Sequence, residues 1–232
     1  MAKLPVMLFA AGFGTRMGAL TENQPKPLVR VAGKPLIDHA LALLKGVPVG
    51  PVVVNLHYRG DQLRQHLANR FDVFFSEEQP AILETGGGLK QARPLLGADT
   101  AITLNTDAVW TGQNPLVQLL AAWQPDQMDC LLLLLPAERA TGHNAKADFA
   151  LRTDGRIARG GGDETHVYLG AQIIKTAMLA DFAQPAFSLN LLWNRMIAGQ
   201  RGFGLVHDGG WCDVGHPAAI PIAEAMLRGD AV

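Results

Sequence analysis

The chain has 232 residues, 48% of them hydrophobic and 18% charged, a balance that excludes a disordered or polyelectrolyte chain and suits one α/β domain over 1–232 better than two domains. With 20 basic and 21 acidic residues the formal net charge is −1, so no bulk positive field draws the protein to nucleic acid or to an anionic membrane. Two widely spaced cysteines, Cys130 and Cys212, make neither a disulfide framework nor a zinc signature, and a reducing cytoplasm is the simplest setting for them.

The first apolar run, Leu4–Ala11, is far shorter than the roughly 20 residues that span a bilayer. Lys3 precedes it, as in a signal peptide, but Gly12-Phe13-Gly14-Thr15-Arg16 follows in place of a cleavage site. The run reads as a buried first strand. Further buried strands are expected at Pro51–Asn55, Asp72–Ser76, Ala101–Thr106 and Asp129–Leu135, with the first centred on Val6–Ala10. Helical patterns lie between them at about Pro35–Leu44, Asp61–Asn69, Gly88–Leu96 and Pro115–Ala122. Pro35 and Pro115 suit a first helical turn, where a missing N–H leaves nothing unpaired. This alternation predicts a mostly parallel mixed sheet with helices on both faces, joined by right-handed crossovers.

After Pro136 the texture changes. Ala147–Leu151 and Arg156–Arg159 flank a Thr153-Asp154-Gly155 turn and read as a hairpin, with a further strand at His166–Ile174. A helix follows at Ser188–Gly199, then a strand at Phe203–His207 and a terminal helix at Ala218–Leu227. Gly142–Asn144 and Gly160–Asp163 are expected to be loops.

Ala11-Gly12-Phe13-Gly14-Thr15-Arg16-Met17 is the most informative stretch. A buried strand delivers a small-residue turn whose N–H groups can cradle phosphate or meet a base edge without Cβ obstruction. A dinucleotide fingerprint would need a third glycine where Met17 stands, and a Walker motif would need a following Gly-Lys-Ser/Thr. A nicotinamide-dependent oxidoreductase is further disfavoured because the second strand closes with Asn55-Leu56-His57 and no acidic residue. Pro25-Lys26-Pro27-Leu28 comes next. The flanking prolines are expected to hold Lys26 extended, presenting a point charge ten residues beyond the forked guanidinium of Arg16. Taken alone, each piece reads more readily as a generic surface turn.

Together, Ala10-Ala11-Gly12-x-Gly14-Thr15-Arg16-Met17, Pro25-Lys26-Pro27-Leu28 and Val31-Ala32-Gly33-Lys34-Pro35-Leu36-Ile37 resemble the signature of sugar-1-phosphate nucleotidyltransferases. The resemblance implies a Rossmann-like three-layer αβα domain that joins an NTP to a sugar 1-phosphate with Mg²⁺ and releases pyrophosphate. It implies that Arg16 binds the leaving phosphates and that Lys26 binds the α-phosphate and the sugar phosphate. Ala11, Gly12, Gly14 and Thr15 would contact the nucleotide. Ala19 and Arg30 stand where family members often have proline.

Asn105-Thr106-Asp107 ends the fourth expected strand, where an open α/β sheet places its crevice. Position alone leaves Asp107 equally a turn residue or a metal ligand; the resemblance makes it a Mg²⁺ ligand and Asn105 a substrate contact. Trp211-Cys212-Asp213-Val214-Gly215 resembles the segment whose aspartate completes that metal site. Asp107 and Asp213 are therefore expected to meet through the fold.

Leu83-Glu84-Thr85-Gly86-Gly87-Gly88 runs into a helix, with Glu84, Thr85 and Gly87 placed for base contacts and the glycines for close approach. This run is most similar to short uridylyltransferases of cell-wall recycling that act on N-acetylmuramate 1-phosphate. Mannose-1-phosphate guanylyltransferases carry a close variant, so UTP is favoured and GTP stays open. Asp148 and Gly170 fall where family members contact the sugar, although the family's glutamate–lysine–proline segment is absent. No β-helical repeat follows within the sequence, so the acetyltransferase half of bifunctional relatives is expected to be missing. Of the histidines, which show no metal-ligand spacing, His216 lies nearest a site residue. A non-catalytic sugar-nucleotide sensor is the competing class, and it is disfavoured by retention of Arg16, Lys26, Asp107 and Asp213.

Overall fold

Alternation along the first strand sets the layers. Val6 and Leu8 face one core cluster and Met7 the other, all fully buried, because successive strand residues point to opposite faces. The computed structural model describes residues 3–142, 148–160 and 165–230. Ala147, His143 and most of the two expected loops at Gly142–Asn144 and Gly160–Asp163 lie outside the described residues.

In chain order, β1 (Leu4–Phe9) leads to a short hairpin of β2 (Arg30–Val31) and β3 (Lys34–Pro35), then α1 (Leu36–Ala42), β4 (Val49–Leu56) and α2 (Gly60–His66). Next come β5 (Val73–Glu77), α3 (Glu84–Leu96), β6 (Thr100–Asn105), β7 (Ala108–Trp110), α4 (Pro115–Ala122) and β8 (Cys130–Pro136). The last part holds β9 (Phe149–Leu151), β10 (Ile157–Arg159), β11 (Thr165–Lys175), α5 (Asn190–Ala198), β12 (Gly202–Val206), β13 (Trp211–Asp213) and α6 (Ala219–Arg228).

One mixed sheet runs β10-β9-β11-β6-β1-β4-β5, with β8 also on β11 and β12 beyond β8. The run β6-β1-β4-β5 is parallel, while β11 is antiparallel to its neighbours. On one face α1, α2 and α4 bury Leu41, Leu63 and Leu116. On the other, α3 and α5 bury Leu89 and Leu192. The expected three-layer α/β architecture is the one observed.

A third, smaller cluster positions the site. Met17, Val29, Val31, Leu36, Val109, Cys212, Val214 and Ala223 pack together, joining the 3-10 turn at Thr15–Thr21, the β2–β3 hairpin, a two-stranded β7–β13 ribbon and α6. Met17 is fully buried there, which explains why this position carries a long apolar side chain where a dinucleotide fold has glycine. Truncating it would cost about 2–5 kcal/mol.

The expected strands and helices are present with shifted ends. The largest shift is in α3, which begins at Glu84, four residues before the expected Gly88. The short β2–β3 and β7–β13 pairings were not expected, since strands of two or three residues carry too little periodicity to read. Among the described residues no helix is long and apolar enough to cross a membrane.

Candidate active site

A cleft of about 220 Å³ opens at the carboxyl ends of β1, β4 and β6, where a parallel sheet leaves room between diverging loops. Ala10, Ala11 and Gly12 form one wall, Asn105 and Asp107 another, and Glu84 and Thr85 a third, and Lys26 also lines the cleft.

Lys26 does not sit in extended chain. It opens a single 3-10 turn, with Leu28 N–H donating to the Pro25 carbonyl and Val29 N–H to the Lys26 carbonyl, both at 2.9 Å. Pro27 fits because the start of such a turn has no use for its missing N–H, and two closed turn bonds offset the pre-proline bias toward extended backbone. One expectation survives the change of backbone: the ammonium is rigidly presented. Lys26 Nζ lies 2.7 Å from Asp107 Oδ2.

Asp107 and Asp213 come together through the ribbon. Asp213 is the register partner of Ala108, and Val214 N–H donates to the Asp107 carbonyl at 2.8 Å. The exposed Arg16 reaches the same place: a Cβ built on Gly215 would lie 2.8 Å from Asp213 Oδ2 and 3.1 Å from Arg16 Nη1. Gly215 is thus the clearance that lets a guanidinium and a carboxylate share one corner. Nearby, His216 Nε2 is buried without a hydrogen-bond partner among the described residues.

Gly14 takes a left-handed conformation (φ 66°) that starts the 3-10 turn at Thr15. A Cβ there would sit 2.9 Å from the Lys26 Cβ, so Gly14 is needed to bring the two halves of the motif into contact rather than to make room for a ligand.

The Gly86–Gly88 run is corrected in the same sense. Gly86 and Gly87 N–H groups both donate to the Phe187 carbonyl, at 2.8 and 3.1 Å, and a Cβ on Gly87 would lie 2.1 Å from the Pro185 carbonyl oxygen. Gly87 is buried and admits the chain's own 185–187 segment, and it does not line the cleft. Thr85 lines the cleft, yet its Oγ1 accepts from Leu189 N–H at 3.0 Å. Glu84 is exposed at the rim with φ 59°.

On the sugar side, Gly170 (φ 80°) lies in the irregularity of β11, where a Cβ would meet the Asn105 side chain at 2.8 Å. Asp148 Oδ2 accepts from Tyr168 N–H at 2.9 Å and so braces the same strand; Asp148 is not among the cleft residues. Thr106 donates its hydroxyl to the Phe9 carbonyl at 2.7 Å and ties β6 to β1.

Two cleft residues have no signal in the sequence. Asn55 lies near the end of β4 and Glu78 follows β5, both buried. The sequence marks Asn55 only as part of a strand terminus lacking an acid, and Glu78 sits at an apolar-to-polar boundary with nothing to identify it as interior.

The profile of the MobA-like NTP transferase domain matches residues 6–221. The chain belongs to that family. It is therefore an enzyme of the nucleotidyltransferase class. It is 39% identical to the N-acetylmuramate alpha-1-phosphate uridylyltransferase of Caulobacter vibrioides, over 95% of this chain and 96% of that protein. It is 31% identical to the protein of the same name from Neisseria meningitidis serogroup B, over 96% and 98% of the two. Among solved structures, the inositol-1-phosphate CTP transferase from T. maritima superposes with a TM-score of 0.75 at 18% identity, covering 100% of this chain and 99% of that one. That likeness establishes the fold.

Proposed function

We propose that this family member is a sugar-1-phosphate uridylyltransferase, moving a uridylyl group from UTP to N-acetylmuramic acid 1-phosphate. Near full-length similarity to two proteins of that name supports the substrate pair. The observation that supports the mechanism is the ribbon pairing of Asp213 with Ala108, beside the Lys26–Asp107 ion pair of the cleft and with Arg16 Nη1 in the same corner as Asp213 Oδ2. A cytoplasmic setting in cell-wall recycling goes with this reading, and residues 1–232 act in it as one catalytic domain.

The donor set fits magnesium. Among the described residues no cluster of three or more His, Cys, Asp or Glu offers an all-protein cage, and magnesium prefers one or two carboxylates with substrate phosphates and waters. Asp107 and Asp213 would hold it, and when bound it would neutralise phosphate charge at the reacting centre.

In the proposed reaction a phosphate oxygen of the sugar 1-phosphate attacks the α-phosphorus, the bond to the β-phosphate bridging oxygen breaks, and pyrophosphate leaves. The nucleophile is already anionic, so no general base is required. Lys26 neutralises the α-phosphate and the incoming phosphate, and Arg16 the leaving pair. The N–H groups of the Ala11–Thr15 turn orient the nucleotide, with Glu84, Thr85 and Asn105 shaping the base and sugar ends and Asp148 and Gly170 supporting the sugar end through β11.

A matrix of UTP, GTP, CTP and dTTP against N-acetylmuramic acid, N-acetylglucosamine, mannose and glucose 1-phosphates, read by pyrophosphate release, tests the proposal. UTP with N-acetylmuramic acid 1-phosphate is expected to give the highest kcat/KM. A better pair elsewhere in the matrix would overturn the substrate assignment.

A further inference from the structure

Glu78 is fully buried, and an isolated carboxylate in that position would be strongly disfavoured. It persists because every polar atom it carries is engaged. Its Oε1 accepts from Asn55 Nδ2 at 2.7 Å and its Oε2 from Leu83 N–H at 2.7 Å. Its own N–H donates to the Leu56 carbonyl at 2.8 Å, and its carbonyl faces His57 Nδ1 at 2.7 Å. The Asn55 amide is oriented by its other end, where Oδ1 accepts from Ala10 N–H at 2.6 Å. A backbone N–H can only donate, so the oxygen must face Ala10 and the NH₂ must face Glu78.

The result is a chain of hydrogen bonds, Ala10–Asn55–Glu78–Leu83, that crosses the cleft floor at the sheet's carboxyl ends. One end holds the residue that leads into the glycine-rich turn, and the other holds the residue before α3. These are the two walls between which a nucleotide would lie. Gly88 is part of the arrangement, since a Cβ there would lie 2.5 Å from Glu78 Oε1 and 3.2 Å from Asn55 Nδ2. A second link runs beside it: the exposed Phe13 packs edge-on against His57 with ring centroids 5.3 Å apart.

We propose that Asn55 and Glu78 are positioning residues that fix the spacing between the glycine-rich turn and the Leu83–Thr85 wall, and thereby set affinity for the nucleoside triphosphate. The inference rests on the nucleotidyl-transfer reading of the cleft, whichever NTP the enzyme uses. Neither residue is needed for the bond-making step, so the effect belongs mainly to the NTP KM and much less to kcat.

The donor–acceptor pattern supplies its own test. In Glu78→Gln, the side chain keeps one acceptor but turns a donor toward either Asn55 Nδ2 or Leu83 N–H. In Asn55→Asp, the Ala10 bond survives but two carboxylates face one another. Combined, the two substitutions restore the chain. The carboxylate introduced by Asn55→Asp accepts from Ala10 N–H and from the amide introduced by Glu78→Gln, whose oxygen accepts from Leu83 N–H. The measurement is kcat and KM for the preferred NTP and for the sugar phosphate, with thermal unfolding of each variant.

Each single variant is expected to raise the NTP KM roughly tenfold, the size of one lost charge-assisted hydrogen bond, with the sugar-phosphate KM within about threefold of wild type. The double variant is expected to return the NTP KM to within about threefold of wild type. Single variants with unchanged NTP KM overturn the inference, as does a double variant no better than either single one. If the single variants do not fold, the double variant decides alone, a wild-type-like NTP KM supporting the relay and a tenfold loss overturning it. A wild-type enzyme inactive with every NTP would instead defeat the nucleotidyl-transfer reading itself.

Discussion

Lys26 Nζ and Asp107 Oδ2 stand 2.7 Å apart in the lining of the cleft, with the lysine side chain 11% and the aspartate 30% exposed. Before any phosphate arrives, the two groups neutralise each other. Removing either leaves its partner half-buried and unbalanced, and it removes a charge that the proposed transition state requires. Lys26→Ala and Asp107→Asn are each expected to lower pyrophosphate release about 10²–10³-fold, with far-UV circular dichroism unchanged. A wild-type rate in either variant would take that residue out of the reaction.

Gly12 and Gly87 separate two uses of glycine. Gly12 lines the cleft, a Cβ on it would meet none of the described residues within 4 Å, and its backbone is not in the left-handed region. Gly12→Ala should therefore melt like wild type but bind NTP about tenfold or more weakly, because only a ligand backed against the turn can feel the added methyl. Gly87→Ala collides with the Pro185 carbonyl and is expected to lose about 1–3 kcal/mol of stability, as overpacked interiors do. Denaturant unfolding alongside steady-state kinetics distinguishes the two. A destabilised Gly12→Ala, or a stable Gly87→Ala, would contradict these assignments.

Both thiols are buried. Burial pushes Cys130 up to about 12 and Cys212 up to about 11, so neither supplies thiolate near neutrality. The native protein is expected to show no fast reaction with a thiol-specific disulfide reagent at about pH 8, whereas both cysteines react in denaturant. A native thiol that titrates within seconds would place Cys130 or Cys212 in a more open setting.

Acid should weaken the fold before the carboxylates titrate. Burial holds the His39 and His207 imidazoles below their usual pKa, so between that usual value and the lowered one the unfolded chain binds more protons than the folded chain. Stability is then lost as pH falls below about 6.5. The melting temperature is expected to drop between about pH 7 and pH 5, less steeply in His39→Gln than in wild type. Equal slopes would exclude His39 as a contributor.

Much of the fold was legible because the parallel strands are apolar on both faces and their helices are amphipathic. Leu4–Phe9, Val49–Leu56 and Cys130–Pro136 announce themselves by composition. The ribbon of Ala108–Trp110 with Trp211–Asp213 does not, because such short strands contain barely one alternation and the two lie far apart in the chain. The same holds for the site. Arg16, Lys26, Asp107 and Asp213 could be named from motif resemblance, and the structure brings their backbones or side chains to one end of the sheet. Two local expectations failed for packing reasons: Lys26 closes a 3-10 turn, and the glycines of α3 serve the 185–187 segment. Asn55 and Glu78 were invisible because their meaning lies in partners contributed by separate segments of the chain.

That small ribbon also has a temporal meaning. The strand carrying Asp213 follows every strand of the nine-stranded sheet in the chain, so a ribosome can deliver the whole scaffold, the glycine turn and Lys26 while half of the acidic pair is still unmade. On the proposed mechanism, competence for transfer then waits on the docking of the tail, because a nascent chain stopped before Trp211 lacks Asp213 together with the Cys212, Val214 and Ala223 side chains of the third cluster.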